Sequence, residues 1–167
     1  RKAEAEGRRY RVFCASLADV FDNHRSIKDQ WRADLWELIA ATPHLDWLLL
    51  TKRPQNIAKM LPDRYNLSVS TSWGDGWPNV WLGTTVENQA EVDRRIPPLL
   101  SVPAKVHFLS CEPLLAPVNL RSVKEREGYA VDAFSGELHD FGIPFESLPG
   151  RIHWVICGGE SGQIGRA

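Results

Sequence analysis

The stretch HFLSCEPLL, residues 107–115, begins as an apolar run and turns abruptly polar at Ser110 and Glu112. Its apolar part has the length of a buried strand and is too short for a globular helix. Five such runs occur along the chain, at residues 11–16, 46–51, 80–86, 105–110 and 152–157. Near-continuous Val, Ile, Leu and Trp content is typical of strands covered on both faces, as in a parallel sheet flanked by helices. The sequence therefore predicts five buried parallel strands.

Helical patterns lie between the predicted strands. Ser26 and Asp29 have the spacing of a capping box, and apolar residues follow them at helical spacing. Pro54 is placed to open a short second helix. A third pattern covers residues 88–100, where we expect Pro97–Pro98 to bend or end the helix. The alternation of strands and helices predicts repeated right-handed βαβ units.

Each apolar run ends in polar residues. The carboxyl ends of parallel strands lie along one edge of the sheet, where α/β barrels and doubly wound sheets place their ligands. The candidate catalytic residues, which could carry protons or contact a polar ligand, are Lys52, Glu87, Glu112 and Glu160. The candidate cofactor-binding residues are Ser16, Asp19, Gly158, Gly159 and Ser161. For any one of these side chains, helix capping or solvent exposure is the more frequent role, so the prediction depends on their convergence.

The segment GGESGQIG, residues 158–165, follows the last predicted strand. Consecutive glycines allow backbone N–H groups to approach a phosphate or carboxylate closely. The spacing matches neither a dinucleotide-binding fingerprint nor a P-loop, and a tight turn that needs a positive φ is the alternative.

Two irregular segments interrupt the strand and helix pattern. Residues 68–79 place Trp73 and Trp77 around a Gly-Asp-Gly sequence, a loop setting that leaves room for stacking on a ligand. Residues 121–150 are rich in charge and glycine and are expected to form either a lid over the strand ends or a tolerated insertion.

Length and composition limit the classes of protein that fit. The chain has 167 residues, 43% of them hydrophobic, which is enough for one core, so we expect a single domain over residues 1–167. Lys and Arg (20) nearly balance Asp and Glu (21), so no overall charge attracts nucleic acid or an anionic membrane. No apolar run approaches the length of a membrane span or signal peptide, so the expected location is cytoplasmic.

Three cysteines, Cys14, Cys111 and Cys157, are widely spaced. An odd number at this spacing favours reduced thiols over a disulfide framework. No CxxC motif or Cys/His cluster occurs, so no metal site is predicted within this chain.

Several motifs together resemble a known family. They are SLADVFD (16–22), LLLTKRP (48–54), WGDGWPNVWLGTTVENQ (73–89), FLSCEPLLAPVNL (108–120) and WVICGGESG (154–162). In this order they are similar to the phage gp-thirty-seven/gp-sixty-eight family, a domain of unknown function also described as radical-SAM-like three-Cys-motif proteins. The resemblance covers nearly the whole chain apart from its ends and residues 121–150.

The resemblance implies a fold and a chemistry. It implies a partial TIM barrel of about five strands and an uncharacterised phage or prophage protein whose ligand site lies at the carboxyl ends of the strands. It also implies a radical S-adenosylmethionine enzyme, provided that an N-terminal cysteine motif supplies the ligands of a 4Fe-4S cluster. That motif does not occur in residues 1–167, so we expect a central fragment with no cofactor held by this chain alone.

Two other functions remain open at this point. One is a non-catalytic module that binds a nucleotide or nucleic acid at the same strand ends. The other is an unrelated phosphate-binding barrel that uses residues 158–162 and needs no iron. The substrate, a small molecule or nucleic acid, is left unassigned. Because a partial barrel leaves open sheet edges, we expect a second copy or a partner to cover them, and no membrane partner.

Overall fold

Five strands pair side by side in one parallel sheet. The computed structural model describes residues 5–14, 18–65, 67, 72–140 and 142–158. The parallel strands are β1 (Tyr10–Cys14), β2 (Leu45–Thr51), β3 (Val80–Thr85), β4 (Val106–Cys111) and β9 (Ile152–Cys157), in the order β1-β2-β3-β4-β9. All five predicted strands are confirmed, with ends that differ from the prediction by at most two residues.

The ladder register brings the carboxyl ends of the strands to one edge. Thr51 of β2 pairs with Thr84 of β3, and Thr85 pairs with Ser110 of β4. The predicted α/β class is therefore confirmed, with helices alternating with parallel strands. Within the described residues the sheet is open, and β1 and β9 are its two edges.

Among the described residues, two α-helices and two short 3-10 helices connect the parallel strands. They are α1 (Asp29–Ala40), a 3-10 helix at Pro54–Lys59, a second 3-10 helix at Pro62–Arg64, and α2 (Gln89–Leu100). Pro54 opens the first 3-10 helix as predicted, because its fixed φ suits the first helical position. In the part of the chain that the structure covers, no helix is long and apolar enough to cross a bilayer.

The predicted capping box is wrong. Helix α1 begins at Asp29, and the preceding Lys28 makes no side-chain hydrogen bond to it. Ser26 instead places its Oγ 2.8 Å from Nδ1 of His24, and Asp29 pairs with Arg32 at 3.0 Å. Both predicted capping side chains are thus engaged elsewhere.

The predicted helical pattern over residues 88–100 is confirmed, and of the two outcomes expected at Pro97–Pro98 the helix does not end there. Asn88 caps α2 by accepting a hydrogen bond from the Glu91 backbone N–H at 3.1 Å, and the helix continues past both prolines to Leu100. Ile96 and Leu100 are fully buried. We attribute the continuation to this packing, which stabilises the helix against two missing backbone donors.

The main core lies between the parallel sheet and the helices. Trp36 of α1 packs edge to face against Trp73 and Trp77, with ring centroids 5.9 and 5.7 Å apart. The indole N–H groups of Trp73 and Trp77 donate to the carbonyls of Pro103 and Ser72. Only 4% of Trp73 and 7% of Trp77 is exposed, so the prediction that these rings stack on a ligand is wrong.

Residues 121–150 contain a second, antiparallel sheet. Its strands are β5 (Val123–Arg126), β6 (Tyr129–Val131), β7 (Glu137–Asp140) and β8 (Ile143–Ser147), paired in sequence order. Strand β5 packs against α2, and the Lys124 backbone N–H donates to Asp93 of that helix at 3.0 Å. Whether this sheet acts as a lid or is a tolerated insertion stays a prediction.

Candidate ligand site at the strand ends

A cavity of about 600 Å³ lies at the carboxyl ends of β1 to β4. Four successive strands each contribute one lining residue on the same sheet face, namely Phe13, Leu50, Thr85 and Ser110. The volume falls in the range of small-molecule sites, and the position is where parallel α/β proteins bind ligands. We call this feature the strand-end cavity.

Asp19 organises one wall of the strand-end cavity. Its carboxylate accepts hydrogen bonds from Thr51 Oγ1 at 2.7 Å and from the Lys52 backbone N–H at 3.0 Å. It also pairs with Arg53 at 3.2 Å, and Arg53 reaches Asp22 at 3.4 Å. Asp19 therefore fixes the turn that follows β2, and the wall that it builds carries charges of both signs.

Two linked ion pairs, from Lys52 to Glu87 and from Glu87 to Arg95, hold the Lys52 ammonium in place. Lys52 Nζ lies 3.0 Å from Glu87, whose other carboxylate oxygen lies 2.9 Å from Arg95 Nη1. Arg95 also donates to the Thr85 carbonyl at 2.6 Å and pairs with Glu91 at 2.6 Å. The Lys52 side chain is 59% exposed, whereas Arg95 is 8% exposed. The buried pair thus anchors an accessible cation at the cavity.

The electrostatic surroundings keep Glu87 ionised. Burial raises the pKa of its carboxyl group, but the hydrogen bond from Lys52 and the charges of Arg95 and Lys52 outweigh burial, so the pKa lies below its ordinary value. Glu87 is consequently a fixed negative charge near neutral pH.

Glu112 follows β4 directly and lines the strand-end cavity from an exposed position. Its side chain lies over Gly158, where an added Cβ would overlap the Glu112 carboxylate. The Gly158 N–H donates to the Cys111 carbonyl at 3.3 Å, and the Gly158 carbonyl accepts from Leu114. Because Glu112 is exposed and lines the cavity, its carboxylate is accessible to a ligand there.

Five of the nine predicted site residues lie in described parts of the chain. Asp19, Lys52 and Glu112 line the cavity together, Glu87 lies behind Lys52, and Gly158 lies beneath Glu112. The four predicted residues outside the described residues are Ser16, Gly159, Glu160 and Ser161.

Arg95 is a buried charged residue near the site that the sequence analysis did not predict. It lies on α2 between Val92 and Ile96, both fully buried, within the apolar stripe of the helix. A cation at a position where the helical period demands an apolar residue indicates a buried partner. That break in the stripe is the signal that could have found it.

The described residues do not fit a 4Fe-4S cluster. Such a cluster needs three or four thiolates around one point, but Cys14 lies on edge strand β1, and two strands, β2 and β3, separate it from Cys111 on β4. Burial raises the pKa of the Cys14 thiol. In the ranges that the structure covers, no group of three or more His, Cys, Asp or Glu side chains could hold a metal ion.

Comparison with known proteins identifies a family. Residues 1–167 match the model of a family described as "Protein of unknown function (DUF5131)". Comparisons with curated proteins and with solved structures gave no match. The family description names no activity, so the function has to be argued from the strand-end cavity.

Proposed function

The chain belongs to the DUF5131 family, and from the geometry of the strand-end cavity we propose that it is an enzyme domain acting on a polar small molecule. The observation that carries the proposal is the cavity of about 600 Å³ lined by the ends of four parallel strands, with accessible groups of both charges. Catalytic residues of parallel α/β enzymes come from the ends of several different strands, which is the arrangement here.

Each accessible group has a distinct role in this proposal. Glu112, open to the cavity, transfers a proton to or from the ligand. Lys52, anchored by Glu87, holds an anionic group of the ligand, so Glu87 is a positioning residue that acts through Lys52. The hydroxyls of Thr85 and Ser110 offer hydrogen bonds from the cavity floor.

The same proposal includes a more specific assignment of the chain, as part of a phage-type, radical-SAM-like barrel. The open parallel sheet of βα units and the position of the cavity support it as far as architecture is concerned. A 4Fe-4S cluster with S-adenosylmethionine would supply radical chemistry only with a cysteine motif, which residues 1–167 do not contain. Lys52, Glu87 and Glu112 act as proposed without it.

Nucleotide or nucleic-acid binding without chemistry is the second candidate function. Its supporting observation lies on β1, β3 and β9, where the Arg11 guanidinium lies over the rings of Trp81 and Trp154 at 4.9 and 5.5 Å. Trp154 is 36% exposed, and bases stack on aromatic rings and on arginine planes.

A thermal-shift panel separates the two candidates. Nucleosides, nucleotides, sugar phosphates and amino acids are tested with the wild type, with Glu112→Gln and Lys52→Met, and with Trp154→Ala. If the strand-end cavity is the site, a stabilising compound loses its effect in the first two variants and keeps it in Trp154→Ala. The reverse pattern would favour the second candidate. A shift that survives in all three variants would contradict both.

A further inference from the structure

Cys111 and Cys157 form a pair across two adjacent strands. They are direct partners in the parallel ladder between β4 and β9, so their side chains leave the same face of the sheet side by side. Neighbouring strands lie about 4.8 Å apart, which is within the Cα separation of about 4.4 to 6.8 Å that disulfides span. The backbone bond from Gly158 to Cys111 holds the two strands together just beyond the pair.

The two thiols differ in their access to solvent. Cys111 is 1% exposed, whereas Cys157 is exposed on the edge strand. Burial, followed by the neighbouring Cys157 and Glu112, raises the pKa of Cys111 to about 12. A dissolved oxidant therefore reaches Cys157 first, and Cys111 is placed to react in a second step.

We propose that Cys111 and Cys157 are an oxidation site, at which a small disulfide such as glutathione disulfide converts the two thiols into a cross-strand disulfide. The Cys157 thiolate attacks one sulfur of glutathione disulfide, forming a mixed disulfide and releasing one glutathione thiolate. The Cys111 thiol then attacks the Cys157 sulfur, expels the second glutathione and passes its proton to that departing thiolate. Two protein thiols are oxidised and one glutathione disulfide is reduced.

The new bond has a structural consequence that can be measured. It would join β4 to β9 beside Glu112 and close the chain segment that contains β5 to β8. Because cross-linking restricts the unfolded chain, the oxidised protein should melt at a higher temperature, by roughly 5 °C or more. This inference does not depend on the proposed function of the strand-end cavity.

The test is oxidation of the reduced, folded chain with glutathione disulfide, followed by a free-thiol count, intact mass and non-reducing peptide mapping. The wild type should lose two of its three free thiols, retain no glutathione, and give one cross-linked pair of peptides containing Cys111 and Cys157. Cys14→Ser is the matched control, and it should form the same cross-link. Cys111→Ser should retain glutathione on Cys157, because nothing expels it.

Other results would overturn the inference. These are a glutathione adduct that persists on Cys157 of the wild type, a disulfide between two chains, a cross-link to Cys14, failure of Cys157 to react in the folded chain, and a Cys111–Cys157 bond that forms only in urea. Cys157→Ser changes an exposed residue, so it should fold normally and lose the cross-link. This variant keeps the test valid if Cys111→Ser proves unstable.

Discussion

The two sheets of the molecule differ in how many residues of each strand are buried. Strand β2 buries five of its seven residues and β4 five of six, whereas all five residues of β8 are exposed. In β5 only Val123 is buried. The parallel sheet therefore supports the main core on one face, while the antiparallel sheet attaches to α2 through a narrow apolar stripe.

Their charged residues differ in the same way. Arg95 and Glu87, at the end of the parallel sheet, are 8% and 13% exposed, whereas Arg121 in its pair with Asp132 is 76% exposed. Burying a charge pair carries a desolvation cost that often exceeds its attraction, so such pairs are weak devices for stability. The comparison shows that the charge pair at the ends of the parallel strands is buried, whereas the pair beside the antiparallel sheet is open to solvent.

The largest effect should come from breaking the buried pair. Arg95→Met should destabilise the fold by about 3 to 5 kcal/mol, because it leaves Glu87 without its buried partner. Arg121→Met, the matched change beside the antiparallel sheet, should cost less than about 1 kcal/mol. Urea unfolding of both variants measures the difference. Equal costs would remove the distinction between the two charged regions.

Truncation of apolar residues should separate the sheets further. Leu109→Ala in β4 should cost about 2 to 5 kcal/mol, because the side chain is fully buried and its loss leaves a cavity. Ile143→Ala in β8, where 70% of the side chain is exposed, should change stability by less than about 1 kcal/mol. Thermal unfolding followed by circular dichroism checks both. A large cost at Ile143 would show that β8 packs against a surface.

Acid should destabilise the parallel sheet through His107. Burial lowers the pKa of His107 to about 4, from an ordinary value of 6.5. Between pH 4 and 6.5 the unfolded chain binds more protons at this residue than the folded chain does. The free energy of unfolding is therefore at its full value above pH 6.5 and falls by at most about 3 kcal/mol as the pH drops to 4. Urea unfolding across this pH range measures the slope. His107→Gln should flatten it, and an unchanged slope would place the titration elsewhere.

The smallest of these effects concerns a close approach between strands. A Cβ added at Gly83 of β3 would overlap the Phe108 ring of β4, so Gly83→Ala should cost about 1 to 3 kcal/mol. Gly142→Ala, at φ +85° in open space beside β8, should cost about 1 kcal/mol from backbone strain alone. Calorimetry on the two variants tests whether Gly83→Ala costs more stability than Gly142→Ala. Adding Phe108→Leu should relieve part of the Gly83→Ala cost.

The parallel strands were predictable from the sequence because buried strands leave continuous apolar runs. The antiparallel strands were not predictable in this way. Strand β8, for example, is fully exposed, and its sequence, which begins with Ile143 and Pro144, shows no alternation of apolar and polar residues. The start of α1 was misjudged, because it begins at Asp29 and not after a Ser26 cap, whereas the helix over residues 88–100 was predicted with its correct end. Tertiary packing of Ile96 and Leu100 overrode the local signal of Pro97–Pro98.

The candidate site was predictable in position and only partly in detail. Parallel pairing necessarily brings Asp19, Lys52 and Glu112 to one edge, so their convergence follows from topology. Which charges pair is set by side-chain geometry across several elements, so the contact from Arg95 to Glu87 could not be read from spacing.

The most direct measurement of the central claim is a crystallographic fragment screen of the chain. If the strand-end cavity is the ligand site, polar fragments should collect there, in contact with Lys52 and Glu112. Competing sites are the cavity of about 320 Å³ beside the antiparallel sheet at His139 and the apolar pocket of about 380 Å³ at Leu35 of α1. Fragments that occupy these pockets and leave the strand-end cavity empty would contradict the claim.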